Sequence, residues 1–291
     1  MIAIKLWGGI GNQMFQYAFA LYLAKHRNDK ASFFTDGVGK NVKDLGLKNF
    51  SLDLVALSDE ERRNLGYAFK NNLEYRIKRK LFQVFPFVNK KILIEKGLEH
   101  KATFPENARL FDGYWQSYKY IDAVENELRQ KFVFNDPELS QLNDYAEIVD
   151  SSSVSVHIRK GDYLQGKNAL IYEACPLEYY SKGMAEITKN VISPVFFVFS
   201  NDLNWARENL IVSDAITIRF VDNSNYIDPA IADLFLMSKC KHNIIANSTF
   251  SWWGAWLNSH TNKIIIAPAK WYVGDLNKVT IDLIPENWMR L

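Results

Sequence analysis

Ser152–Tyr163 reads S-S-V-S-V-H-I-R-K-G-D-Y, and the fold turns on how this stretch is understood. Val154 and Val156 alternate with small polar residues, the period-2 pattern of a strand. His157, Arg159, Lys160 and Asp162 follow within six residues, and Gly161 interrupts the strand. An imidazole, a guanidinium, an ammonium and a carboxylate are therefore delivered at a strand's C-terminal end. In open parallel α/β sheets that end faces the ligand crevice. The competing reading is a strand followed by a solvated charged turn, and the neighbouring sequence has to decide between them.

Downstream, strands and helices alternate. Pro176 opens a helix over 177–190, and Val195–Phe199 (V-F-F-V-F) is a continuous apolar run, as in a strand buried on both faces. Ser200-Asn201-Asp202 and a helix over 203–209 follow, then a strand over 215–221 ending in Asp222-Asn223-Ser224. Next come an amphipathic helix over 228–241 with Pro229 in its first turn, a strand over 243–246, the polar turn Asn247-Ser248-Thr249, a helix over 250–259, and a strand over 263–267. This rhythm predicts a doubly wound parallel sheet. Each polar cluster then falls just after a strand, so one sheet edge collects His157, Arg159, Lys160, Asp162, Ser200, Asp202, Asp222, Asn247, Ser248, Thr249 and Ser251. That coincidence favours a ligand site over a solvated turn.

The first half opens with a second α/β unit. Ile2–Trp7 is strand-like, Gly8-Gly9-Ile10-Gly11-Asn12-Gln13 is a glycine-rich turn, 14–26 is an apolar helix, and 31–35 is a strand. Gly9 and Gly11 fit the start of the dinucleotide fingerprint, but Met14 stands where its third glycine belongs. Ser58 and Glu61 form a capping-box pattern. A strand over 108–114 and helices over 121–131 and 139–150 lead to a domain boundary placed at 150/151. Between Arg62 and Lys101 eleven basic residues face three acidic ones, a net +8, with Tyr67, Phe69, Tyr75, Leu81, Phe82, Phe85 and Phe87 interleaved. The ordinary expectation is a helical segment with a solvated basic face. The functional one is a peripheral membrane contact through residues 62–101.

At 291 residues, 48% hydrophobic, the chain has material for two cores, and a net charge of +2 argues against nucleic acid as partner. Cys175 and Cys240 lie outside any metal or disulfide pattern and are expected as free thiols. Met1–Trp7 runs directly into structured-looking sequence, and no run reaches membrane-spanning length. The expected location is cytoplasmic, at most peripheral to a membrane.

The residues at the sheet edge suit a nucleoside diphosphate. Arg159 can fork onto phosphate oxygens, with Lys160 as a point charge. Ser248, Thr249 and Ser251 surround a helix N-terminus, and Asp202 can accept from a guanine edge. No metal-ligand spacing is present, so no metal or other cofactor is expected and the diphosphate charge falls to side chains and helix ends. Trp252, Trp253 and Trp256 share helical spacing and are expected in the core.

Four motifs in order and spacing resemble the bacterial α-1,2-fucosyltransferases of glycosyltransferase family 11. They are G-G-I-G-N-Q-M-F-Q-Y-A at 8–18, H-I-R-K-G-D-Y at 157–163, F-S-N-D at 199–202 and N-S-T-F-S-W-W-G-A-W-L at 247–257. The resemblance implies a GT-B architecture, two Rossmann-like domains facing across a cleft: an acceptor-side domain over 1–150 with a basic helical insert, and a GDP-fucose domain over 151–291. It implies metal-independent, inverting transfer of L-fucose from GDP-β-L-fucose to the 2-hydroxyl of a terminal β-galactoside, free or on a lipid-linked glycan. In the family's H-x-R-R-x-D pattern Arg159 is the β-phosphate arginine, and Lys160 departs from the second arginine. Gly9, Gly11 and Asn12 are implied near the donor sugar and acceptor. Asp162 is the first candidate base and Glu173 the second, with Arg159, Asp162 and Asn12 as catalytic residues, His157 among the donor contacts and Gln13 on the cleft side. Two other readings stay open at this point: a transferase for another nucleotide sugar, and a binding protein without chemistry.

Overall fold

In the computed structural model, β1 (Ile2–Trp7) is buried over nearly its whole length and leads through Gly8 and Gly9 into α1 (Ile10–Arg27). The described residues are 1–37, 45–66, 73–160, 171–210, 216–274, 277 and 280–291, with side chains excepted at 35–37. β2 (Ala31–Gly37) returns beside β1, and β4 (Leu110–Asp112) pairs with the other side of β1. β3 (Ile92–Ile94) completes a four-stranded sheet of order β2-β1-β4-β3, parallel throughout. Among the shorter helices of this half are α2 (Asp59–Leu65), α3 (Leu73–Val84), α4 (Tyr118–Asp122) and α5 (Glu125–Lys131). The expected capping box is formed: the Glu61 N–H donates to Ser58 Oγ, and the Ser58 N–H donates back to the Glu61 carboxylate at 2.7 Å.

The second sheet has the order β10-β9-β8-β5-β6-β7, and its neighbouring strands pair in parallel. Its strands are β5 (Ser152–Ile158), β6 (Pro194–Ser200), β7 (Thr217–Phe220), β8 (His242–Ile244), β9 (Ile265–Ala267) and β10 (Met289–Arg290). Its helices are α6 (Tyr145–Asp150), α7 (Leu177–Asn190), α8 (Leu203–Asn209), α9 (Pro229–Lys239) and α10 (Thr249–Leu257). β5 is central and covered on both faces. Val154, Val156 and Ile158 pack into one cluster with Tyr180 and Met184 of α7 and Phe196 and Val198 of β6. The alternate residues Ser155 and His157 meet Asn243 of β8 and Phe250 of α10 instead.

The chain divides into two units, Met1–Asn135 with Val279–Leu283, and Asp136–Lys278 with Ile284–Leu291. The division falls ahead of the expected 150/151. Asp136 caps the 3-10 turn Pro137–Gln141 by accepting from the Glu138 N–H, and α6 then packs on β5 and α9 of the second unit. Two expected helices are also broken: 121–131 becomes α4 and α5, and 139–150 becomes the 3-10 turn and α6. The basic segment contains a strand, β3, that its charge had masked. Both cysteines are free, Cys240 buried and Cys175 half-buried.

Candidate functional site

Because the second sheet is parallel, its strand ends share one edge. β5 ends at Ile158, which is in register with Ser200 at the end of β6, and the Lys160 N–H donates to Asn201 Oδ1 at 3.0 Å. On its other side β5 pairs with β8, whose continuation leads into α10. The His157 ring lies 5.6 Å from that of Phe250 in the first turn of α10. Three of the sequence clusters, those after β5 and β6 and the one joining β8 to α10, are thus adjacent in space. Asp222 and Asn223 follow β7 at the outer end of the same edge.

The residues gathered there are used differently. His157 is 3% exposed, and among the described residues its Nδ1 has no hydrogen-bond partner. Burial, with the nearby Arg159 charge second, pulls its pKa down to about 3, so the imidazole is neutral. Arg159 is half-buried at the mouth of the strand. Lys160 Nζ lies 3.1 Å from the centroid of the Trp205 ring, so its charge rests on the first turn of α8 rather than as the second free point charge expected for phosphate. Asp162 lies outside the described residues.

Several expected donor contacts are spent on the fold itself. Asn247 is 1% exposed; its Nδ2 donates to the Glu173 and Trp271 carbonyls, each at 3.0 Å, and its Oδ1 accepts from the Cys175 thiol. It pins three chain segments together. Ser251 is buried, and its hydroxyl points back at the Ser248 and Ala246 carbonyls. Asp202 Oδ1 caps α8 by accepting from the Trp205 N–H at 3.1 Å, and Ser200 Oγ accepts from the Asp202 N–H. By contrast, Ser248 stands at the N-cap of α10 without capping it, and Thr249 is half-buried in the helix's first turn. Glu173 is exposed and lines a cavity of about 340 Å³ with Tyr179, Lys182, Lys270, Trp271 and Tyr272. Trp252, Trp253 and Trp256 are buried and packed edge-on to one another, as their spacing predicted.

In the first unit the glycine-rich turn is built as a rigid bracket. Gly8 has φ +80°, which strains any side chain, and a Cβ there would come within 2.6 Å of the Asn12 amide and have to displace it. Gly9 is the N-cap, and Gly11 is buried as the second residue of α1. Gln13 is fully buried and donates to the Gly8 carbonyl at 2.9 Å, which makes it part of the turn rather than a cleft residue. Asn12 is half-buried, and its Oδ1 accepts from Gln116 Nε2 at 2.8 Å.

Glu95, which sequence reasoning did not single out, stands behind Gln116. It follows β3, and its carboxylate accepts from the Tyr114 and Trp115 N–H groups at 2.6 and 3.0 Å. Trp115 has φ +56°, an uncommon conformation for a bulky residue, and Glu95 holds it. Gly113 leaves room for this: a Cβ there would meet Glu95 Cβ at 2.4 Å. Burial pushes the Glu95 carboxyl up to about 7 against the opposing pull of the two N–H groups. A chain of contacts therefore runs from Glu95 through the 113–116 loop to Asn12. Nothing in the local sequence around Glu95 announces it, because its partners are backbone groups of a distant loop.

A model of glycosyl transferase family 11 matches residues 1–291. The O-antigen biosynthesis glycosyltransferase WbnK of Escherichia coli is 31% identical over 98% of this chain and 99% of its own length. An α-1,2-colitosyltransferase of Escherichia coli is 30% identical over 100% of this chain and 99% of its own. Bovine galactoside α-(1,2)-fucosyltransferase 2 is 25% identical over 88% of this chain and 69% of its own. Among solved structures, the fucosyltransferase NodZ from Bradyrhizobium superposes with a TM-score of 0.50 at 13% identity, over 87% of this chain and 92% of NodZ, a likeness of fold.

Proposed function

The chain belongs to glycosyltransferase family 11, and from that premise we propose that it moves L-fucose from GDP-β-L-fucose to the 2-hydroxyl of a terminal β-galactoside. The observation that carries the reading is the meeting of β5, β6 and α10 at one sheet edge, with Arg159 at its centre. The names of the relatives, which include galactoside α-(1,2)-fucosyltransferases, support the choice of sugar and linkage.

The proposed step breaks the bond between the fucose anomeric carbon and the β-phosphate oxygen and forms one to the acceptor oxygen. It passes through an oxocarbenium-like state, as in glycoside chemistry generally, and inverts the anomeric centre. Negative charge accumulates on the departing GDP. Arg159 and the N-terminus of α10, with Ser248 and Thr249, are assigned to stabilise it without a metal. The acceptor proton passes to a carboxylate, with Asp162 first and Glu173 second. Neutral His157 is assigned to orient the donor by hydrogen bonding rather than by charge. Asn12, bracketed by Gln116, is assigned to the sugar side. The GT-B arrangement, with the two units facing across a cleft, is part of the same proposal.

A second reading has its own observation: at 30% identity over the full chain, a colitosyl donor is a credible substitute for the fucosyl one. Donor profiling with GDP-fucose, a colitosyl donor and UDP-sugars, followed by NMR of the product linkage, separates the two. Transfer from UDP-sugars alone sinks both. Arg159→Ala is expected to lower kcat/KM by about a hundredfold or more, on the scale of a lost transition-state donor. Activity untouched by EDTA is expected. A parent chain that binds GDP in calorimetry but transfers no sugar would mark a binding protein instead.

A further inference from the structure

α3 has two apolar faces, and only one of them is used. Tyr75 and Phe82 are buried in the first unit's core. Leu73, Ile77, Leu81 and Val84 recur at helical spacing on the opposite side. They are 70%, 60%, 41% and 55% exposed, and the 3-10 turn beyond adds Phe85, Phe87 and Val88 at 46%, 69% and 51%. A helix that docks on a domain core ordinarily turns a polar face to water; this one, with the turn after it, turns seven large apolar side chains outward.

The charges around that run are nearly all positive. Arg76 and Lys80 are exposed on the strip beside it, and Lys90 and Lys91 are exposed just past the turn. Between residues 73 and 91 six cations face a single acid, Glu74, which is paired with Lys78 at 2.7 Å. An apolar stripe bordered by cations is the pattern of a helix lying in the plane of an anionic bilayer. A second copy fits the charges less well, because a two-fold contact through this face would bring its cations together. A single outward helix face also offers no groove to a peptide. Among the described residues no helix is long and apolar enough to cross a membrane, so the attachment would lie in the interface plane.

We propose that α3 and the turn after it form a membrane-surface contact for anionic lipid. Leu73, Ile77, Leu81, Val84 and Phe87 enter the boundary between headgroups and acyl chains, while Arg76, Lys80 and Lys90 meet the phosphates. The proposal does not depend on the identity of the transferred sugar, and its test does not read activity.

The test is flotation of the full chain with vesicles of phosphatidylcholine, alone or mixed with phosphatidylglycerol. Binding is expected with the anionic vesicles and weakens as salt is raised. Arg76→Gln and Lys80→Gln should each reduce the partition coefficient roughly fivefold. Ile77→Ser with Phe87→Ser should abolish flotation at any salt. Both side chains are exposed, so unchanged thermal unfolding is expected and serves as the folding control. Three outcomes overturn the proposal: equal flotation with neutral and anionic vesicles, flotation that survives the double serine variant, or no flotation by a parent chain that sediments as a dimer and becomes a monomer in that variant.

Discussion

The two sheets are built on the same parallel plan but bury different kinds of polar group. Under the first sheet lies a charged cluster. Lys5 is 2% exposed, its Nζ is 3.8 Å from Asp112 Oδ2, and it sits 3.4 Å from the centroid of the Tyr75 ring. Asp112, wholly buried, also accepts from the Tyr75 hydroxyl at 3.0 Å and lies 3.4 Å from Arg79 Nε. Under the second sheet the buried groups are neutral. Asn243 Nδ2 donates to Ser155 Oγ at 2.7 Å and to the Met237 carbonyl at 2.9 Å, and its Oδ1 accepts from Asn258 at 2.7 Å. The Ser153 hydroxyl accepts from the Lys241 N–H in the same layer. The two sheets therefore depend on their buried partners to different degrees. A charged cluster is costly to leave half-made, because the survivor is a desolvated ion. A neutral network loses only the hydrogen bonds that go missing.

The largest test of that contrast is Asp112→Ala, which strands Lys5 and Arg79. It should cost about 3–5 kcal/mol in denaturant unfolding, and removing Lys5 as well, as Lys5→Met, should return a large part of the loss. Equal losses for the single and double variants would show that the charges are not coupled. Asn243→Ala should cost less, about 2–3 kcal/mol, as two acceptors and a donor lose their partner.

Acid separates the sheets further. His157 has its pKa lowered to about 3 by burial, from an ordinary value of 6.5. Between those two values the unfolded chain holds the proton and the folded chain does not, so stability falls as pH is lowered through that window. The slope from this one group is about 1.4 kcal/mol per pH unit. His157→Gln should flatten the decline between pH 6.5 and 3, measured as the shift in denaturation midpoint; an unchanged slope would deny that the imidazole is held neutral. Lys5 works at the other end. Burial draws it from 10.5 down to about 8, resisted by Asp112, so stability should rise as pH climbs across that interval. The smallest effect belongs to Lys25 and Glu127, paired at 3.0 Å but 59% and 45% exposed. A double-mutant cycle there should return less than about 1 kcal/mol, which shows that burial, and not charge alone, sets the first sheet apart.

The second sheet was the more legible of the two. Its V-F-F-V-F run, its capping residues and its prolines each act locally, and α7 and α8 fall where those signals put them. β3 was missed because it lies inside a stretch read for its charge, and β10 because two residues are too few to show a period. Ser153 and Ser155, the small polar residues of the alternation, are both buried, because the Lys241 N–H and Asn243 of β8 donate to their hydroxyls. The site was legible as a place and less so as a set of contacts. A polar residue after a strand gives the same signal whether it faces a ligand or clamps backbone. Asn247, Ser251 and Gln13 turned out to clamp, and Glu95, which braces Asn12 through two intervening contacts, gave no signal at all.

The return of Val279–Leu283 to the first unit has a consequence in time. The Asp282 carboxylate accepts from the His100 N–H at 2.9 Å and pairs with Lys119 at 2.6 Å, and the Asp282 carbonyl accepts from the Tyr118 N–H. On the ribosome these partners emerge long before Asp282 does. The unit begun first is therefore finished only after nearly all of the second has been synthesised. A nascent chain arrested before residue 279 would hold a first unit with its strap still missing, at the stage when domains that form in order of synthesis are most exposed to misassembly.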